Sequence, residues 1–279
     1  MTRSLHYFLL VLALLGCAAS VAAQDKSKSE KGSLQCRDSD NWGNRSFNHC
    51  EIKEQPVPAG GLITVDGKQN GGISIRGWER NDLLVRAKIE SRAPTQAEAD
   101  SLAQQVRIET VGLNIHAEGP AGRDDYQWYV SFEIFVPRRS DLSLTAHNGG
   151  ISINDVAGKI NFTTLNGGVS LRRIGGAVEG STTNGGVNVE LAGTSWQGEM
   201  LNVTTTNGGV HLSMPDNYSA HIETRTVNGN VASDFPLNVQ MTERGRLPKE
   251  INVDLGSGGP TIRAVTTNGG VHLGRASAM

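Results

Sequence analysis

The word Asn70-Gly71-Gly72-Ile73-Ser74-Ile75, which returns as Asn148-Gly149-Gly150-Ile151-Ser152-Ile153, constrains this chain more than any other feature. Degraded copies begin at Asn166, Asn184, Asn207, Asn228 (as Asn-Gly-Asn) and Asn268, and Ser257-Gly258-Gly259 reads as a copy that has lost its Asn. Asn148, Asn166 and Asn184 stand 18 residues apart, and the next two intervals are 23 and 21. Such intervals sit at the short end of the roughly 20 to 50 residues that mark stacked structural units.

One copy has a simple physical reading. Asn and Gly both tolerate positive φ, so the Asn-Gly pair lets the backbone corner without a Cβ clash. The Ile-x-Ile or Val-x-Leu that follows alternates apolar and polar, as a half-buried strand does. Aligning residues 148–165 with 166–183 matches Ile151 to Val169, Ile153 to Leu171, Val156 to Ile174, Gly158 to Gly176 and Ile160 to Val178. Each unit is therefore a corner, a short strand, a second Gly turn and a second strand, and it cannot cover its own apolar side. Stacked neighbours do that. The expectation is a mainly β protein, a parallel β-solenoid or β-helix-like repeat domain over 138–279, with Asn side chains of successive coils in a hydrogen-bonded ladder. Thr163-Thr164, Thr182-Thr183, Thr204-Thr205-Thr206 and Thr266-Thr267 precede their Asn and predict Thr ladders beside it. The alternative architecture is a sandwich of hairpins on type I′ turns.

Upstream of the repeats, residues 1–23 carry Arg3, the apolar run Tyr7 to Leu15 and a small-residue exit at Val21-Ala22-Ala23. The run is shorter than the roughly 20 residues of a membrane span, so it reads as a secretory signal cleaved before Gln24. Leu14-Leu15-Gly16-Cys17 resembles a lipobox, which would instead make Cys17 an acylated N-terminus and a lipid anchor to a membrane. Both exits place the protein outside the cytoplasm, in periplasm, outer membrane, cell envelope or medium. Residues 24–35 are a polar linker. In an oxidising compartment Cys36 and Cys50 are a natural disulfide pair. A redox or metal site is the less apt reading, because the spacing lacks the CxxC form and His49 is the sole adjacent ligand type.

Residues 36–137 read as an N-terminal β-rich cap on the first coil, containing one short helix. Strands are expected at Leu62 to Val65, at Leu83 to Ile89, across Val106 to Ile115 and along the alternation Tyr126 to Val136. The capping box Thr95-Gln96-Ala97-Glu98 starts a helix running to Gln105. Aromatic residues of this region read as core filling rather than a sugar platform. Beyond Asn228 the word breaks down at Phe235-Pro236, a polar loop covers Gln240 to Glu250, the repeat resumes at Ile251, and the stack ends on an open coil near Val271 to Gly274.

Candidate chemistry is sparse. A formal charge of −2 offers no electrostatic footprint for nucleic acid. The acids of the repeats are scattered, and Asp155 with Arg172-Arg173 reads as an ion pair between coils. His211 and His272 hold equivalent positions, and His147 precedes another copy; as intervening copies separate them, metal ligation is not expected. Ile or Val follows the glycines where a calcium-binding repeat needs Asp. The sequon-like triplets at Asn44, Asn161, Asn202 and Asn217 read as chance matches. No cofactor is expected.

The TxNGGVxL words, the break at Asp234-Phe235-Pro236 and the terminal Gly-Ser-Gly-Gly before Thr-x-Asn-Gly-Gly resemble the bacterial DUF4097 family of β-strand-repeat, adhesin-like proteins, over roughly 60–279. The resemblance implies an exported or envelope-associated β-solenoid and carries over no catalytic residues. The expected function is a non-enzymatic binding or scaffold surface for a protein, a glycan or the cell wall, with no oligomeric state implied. The alternative is a polysaccharide lyase or hydrolase with Asp155, Glu179 and Arg173 around one trough.

Overall fold

Each repeat word separates a long strand from a short one, and in the computed structural model, which describes residues 34–36 and 46–276, the two kinds segregate into two sheets. The signal, the lipobox Cys17, nearly all of the linker and Asn44 lie outside the described residues. Long strands such as Ala157–Thr164, Gly175–Asn184 and Met200–Asn207 pair in parallel in one sheet. Short strands such as Ile151–Asn154, Val169–Arg172 and Val187–Glu190 pair in parallel in the other. Each sheet has ten strands among the described residues. Parallel pairing sets aside the hairpin sandwich, since hairpins join antiparallel strands.

The register is the alignment of the repeats. Val169 lies opposite Ile151 and Leu171 opposite Ile153, while Gly158 faces Gly176 and Ile160 faces Val178. Alternate residues of both sheets point inward, so Ile153, Leu171, Ile160 and Val178 are wholly buried, at 0% exposure. Val, Ile and Leu form the core because β-branched and branched-chain residues suit the pleated inner faces of two covered sheets.

Glycine at the Asn corners has a different cause from the one expected. Corner glycines 149, 167, 185, 208 and 269 are absent from the positive-φ residues. What they satisfy is proximity: a Cβ on Gly167 would stand 2.2 Å from the Gly149 carbonyl oxygen, and one on Gly185 2.1 Å from that of Gly167. Positive φ instead marks the opposite corner, at Asp155 (60°) and Arg173 (48°).

Stack order departs from chain order. The strand Thr261–Asn268 lies between Met200–Asn207 and Ala220–Asn228, and Val271–Arg275 lies between Val210–Met214 and Val231–Ser233. The last copy in sequence is therefore an interior coil, not the open end. Ile251 does not resume the repeat either, because Glu250–Leu255 runs antiparallel to Ala220–Asn228 and edges that sheet. Gly258 and Gly259, both at positive φ, belong to the turn that follows and not to the Asn corners. Phe235 is buried, and Leu237, Val239 and Leu247 pack on the core from the 235–249 connection.

At the other end the short-strand sheet continues through Ile73–Trp78 and Gln127–Pro137 into antiparallel Asp82–Ala93 and Phe47–Pro58. Phe47–Pro58 escaped the sequence reading because its polar and charged residues His49, Glu51, Lys53 and Glu54 mask the alternation. The helix Gln96–Gln104 starts at Thr95, whose Oγ1 accepts the Glu98 N–H, and it buries Ala99, Leu102 and Ala103. The expected strand at 106–115 is broken into Arg107–Glu109 and Asn114–Glu118 by a turn at Val111–Leu113. Gly112 turns there with φ 63°.

Candidate functional site

The Asn corners line up along the stack. Asn148 Nδ2 donates to Asn70 Oδ1 at 3.0 Å, and the same bond repeats from Asn166 to Asn148 at 2.8 Å and from Asn184 to Asn166 at 2.7 Å. Asn207 donates to Asn184, Asn268 to Asn207, and Asn228 to Asn268. Seven side chains thus form one ladder of a single polarity. Beside it, buried Thr164, Thr182, Thr205, Thr266 and Thr226 each give a hydroxyl hydrogen bond to the corner carbonyl of an adjacent coil, at 2.7 to 2.8 Å. The inward row satisfies corner carbonyls that the strand ladder leaves over. Of the other predicted threonines, Thr163 pairs with Ser181, which in turn pairs with Thr204, in an outward row.

A cleft of about 770 Å³ opens where the Asn ladder ends, lined by Asn70, Trp128, Tyr129 and the 117–124 loop. Trp128 Nε1 donates to the Pro120 carbonyl at 2.8 Å, holding the loop against the indole. Arg123 lies over the Tyr126 ring at 4.1 Å, and Tyr126 donates to Glu98 Oε1 at 2.6 Å, which ties the loop to the helix. Sequence reasoning assigned these aromatics to the core alone. For half-buried Trp128 that holds in part, since it packs on the core, whereas Tyr129 is 39% exposed.

The inserted coil brings together residues that chain order keeps apart. His272 Nδ1 lies 3.0 Å from His211 Nδ1, and His272 Nε2 lies 3.3 Å from Asp234 Oδ1. Burial, then the neighbouring His272, holds the His211 pKa below the usual imidazole range. The signal was present in the sequence: Thr205 to Leu212 and Thr266 to Leu273 are the same eight residues, TTNGGVHL. No group of three or more His, Cys, Asp or Glu among the described residues is arranged to hold a metal ion. His147 precedes Asn148 at the exposed corner and is not part of this pair.

The acids weighed for catalysis do not converge. Arg173 grips Asp155 through Nε and Nη2, each at 2.7 Å, which lowers the Asp155 pKa. Arg172 faces Glu190 on the neighbouring short strand. Glu179 belongs to the long-strand sheet, where it accepts from Asn202 at 3.2 Å.

Cys36 and Cys50 form the disulfide. It pins the 34–36 segment to the edge strand, and the Leu34 N–H reaches Glu133 Oε2 at 3.4 Å. Glu133 is 1% exposed although it projects from the outer face of its sheet, because Arg76 and Arg86 flank it.

A stack of parallel two-strand coils, stitched by an Asn ladder and closed by antiparallel strands, defines a β-solenoid-like repeat protein. The profile of the Toastrack DUF4097 family matches residues 58–274, and the chain belongs to that family. Among solved structures, it is similar to a candidate cell adhesion protein from Clostridium sporogenes (12% identity, 82% of this chain and 100% of that one, TM-score 0.38). It is similar also to a candidate adhesin from Bacteroides fragilis (11%, 81% and 97%, TM-score 0.34). A third is a candidate lipid-binding protein from Parabacteroides distasonis (11%, 80% and 96%, TM-score 0.29). No curated protein matches the sequence.

Proposed function

We propose that this protein is a non-enzymatic, exported module of the cell envelope whose stacked face and cleft bind a surface component, a glycan or cell wall in preference to nucleic acid. The observation that carries this reading is the continuous seven-residue Asn ladder running into an open, aromatic-lined cleft. It makes a rigid polar surface with a recess at one end. Export is supported by the signal-like start and by the Cys36–Cys50 bridge, which suits an oxidising compartment. The N-terminal region to Pro137 acts as the cap that a stack of repeats needs, and Cys17, if acylated, holds the module at a membrane through the 24–35 linker. Fluorescently labelled mature protein added to isolated envelopes of its own host tests the reading. Saturable retention, displaced by unlabelled protein, is expected; retention no greater than that of an unrelated β-protein of equal charge would overturn it.

A further inference from the structure

The polarity of the Asn ladder leaves one amide nitrogen without a protein acceptor among the described residues. Every rung from Asn148 to Asn228 gives its Nδ2 to the Oδ1 of its neighbour, so Asn70 accepts from Asn148 and its own Nδ2 has no protein acceptor among the described residues. The reason lies in the next strand. Ile73 is opposite Phe132, and a Cβ on Gly71 would stand 2.1 Å from the Val130 carbonyl oxygen, as one on Gly149 would from that of Gly71. Val130 therefore takes the place of the next corner glycine, and Tyr129 takes the place of the next Asn. The exposed Tyr129 and the Asn70 amide therefore stand on adjacent rungs at the end of the ladder, and both residues line the cleft.

Aligned hydrogen-bonded amides polarise one another, so the terminal N–H₂ is a better donor than a lone asparagine. It calls for a strong neutral acceptor. Charge does not select an ion, since the lining holds Lys68 and Arg123 against Glu118 and Asp124. An aromatic face beside a directional donor suits a sugar ring, whose C–H face packs on the aromatic while a carbonyl or hydroxyl oxygen accepts.

The geometry points to this cleft as a binding site for a neutral, acetamido-bearing saccharide, with Tyr129 under the ring and Asn70 Nδ2 donating to the acetamido oxygen. The inference rests on the proposed binding function and names its ligand class. Asn70→Asp separates the site from the fold: the aspartate still accepts from Asn148 but has no donor to offer. Tyr129→Ala removes the exposed ring.

The test is a titration of the ¹⁵N-labelled mature protein with di-N-acetylchitobiose, followed at the Trp128 indole and Asn70 amide resonances. Saturable shifts at roughly 10 mM sugar or below are expected, weakened about tenfold by Asn70→Asp and lost in Tyr129→Ala. Absence of shifts, shifts equal in Asn70→Asp, or equal binding of cellobiose would overturn the assignment. The envelope assay separates the two failures: retention of wild type and Asn70→Asp alike, without a sugar response, ends the saccharide site alone, whereas loss of wild-type retention ends both.

Discussion

His211 and His272 touch through their Nδ1 atoms at 3.0 Å although 61 residues separate them, because the C-terminal coil enters the stack one place before its end. Desolvation, followed by the charge of His272, depresses the His211 pKa. Above the ordinary histidine pKa of about 6.5 both folded and unfolded chains are neutral at His211, and the site adds no pH dependence. As pH falls below that value the unfolded chain takes up the proton first, so stability declines until the folded pKa is passed. Thermal unfolding should therefore fall in temperature from pH 7 to pH 5, and His211→Asn, which copies Asn188 on the adjacent short strand, should flatten that fall. An unchanged slope in the variant would show that the seam is not what senses pH.

The corner glycines give a sharper contrast, since two neighbours should differ. Gly167→Ala drives a Cβ to 2.2 Å from a backbone oxygen, while at Gly168 the nearest atom would be 3.6 Å away. Gly167→Ala should cost about 3 kcal/mol or more by denaturant unfolding, because backbone of two coils must part. Gly168→Ala should cost under about 1 kcal/mol. Equal costs would return the glycines to a conformational role.

At the opposite corner conformation does matter. Asp155 sits at φ 60° and is gripped by Arg173. Asp155→Ala loses the pair and must also hold a left-handed backbone, whereas Asp155→Gly loses only the pair. Alanine should be the less stable variant by about 1 kcal/mol.

Glu133 stands nearly sealed between Arg76 and Arg86. Its removal leaves two partly covered guanidinium groups without their shared carboxylate. Glu133→Ala should destabilise by about 3–5 kcal/mol, much more than removal of an exposed partner such as Glu79, whose pairing with Arg138 is worth about 1 kcal/mol at most.

The register was legible and the order was not. Matching Ile151 with Val169 and Gly158 with Gly176 by sequence reproduces the physical pairs, since a repeat that buries one face fixes its own alignment. Stack order is a different kind of information, because the long connection from Asp234 to Pro260 lets the last coil enter anywhere an edge is open. The shared TTNGGVHL at Thr205 and Thr266 marks those two coils as neighbours, through side chains that must match across parallel pairs. Asn70 and Tyr129 were illegible as a pair, since Tyr129 lies in no repeat and reaches the ladder only through the register of Ile73 with Phe132.

Export to the envelope is the claim on which the account depends, and intact mass of the protein recovered from its native host tests it most directly, with cell fractions and thiol state read from the same sample. The expected chain begins at Gln24, or at an acylated Cys17 with the Cys17→Ala variant lost from membranes, in each case outside the cytoplasm with Cys36 and Cys50 oxidised. An unprocessed chain beginning at Met1, found in the cytoplasm with both thiols free, would contradict it.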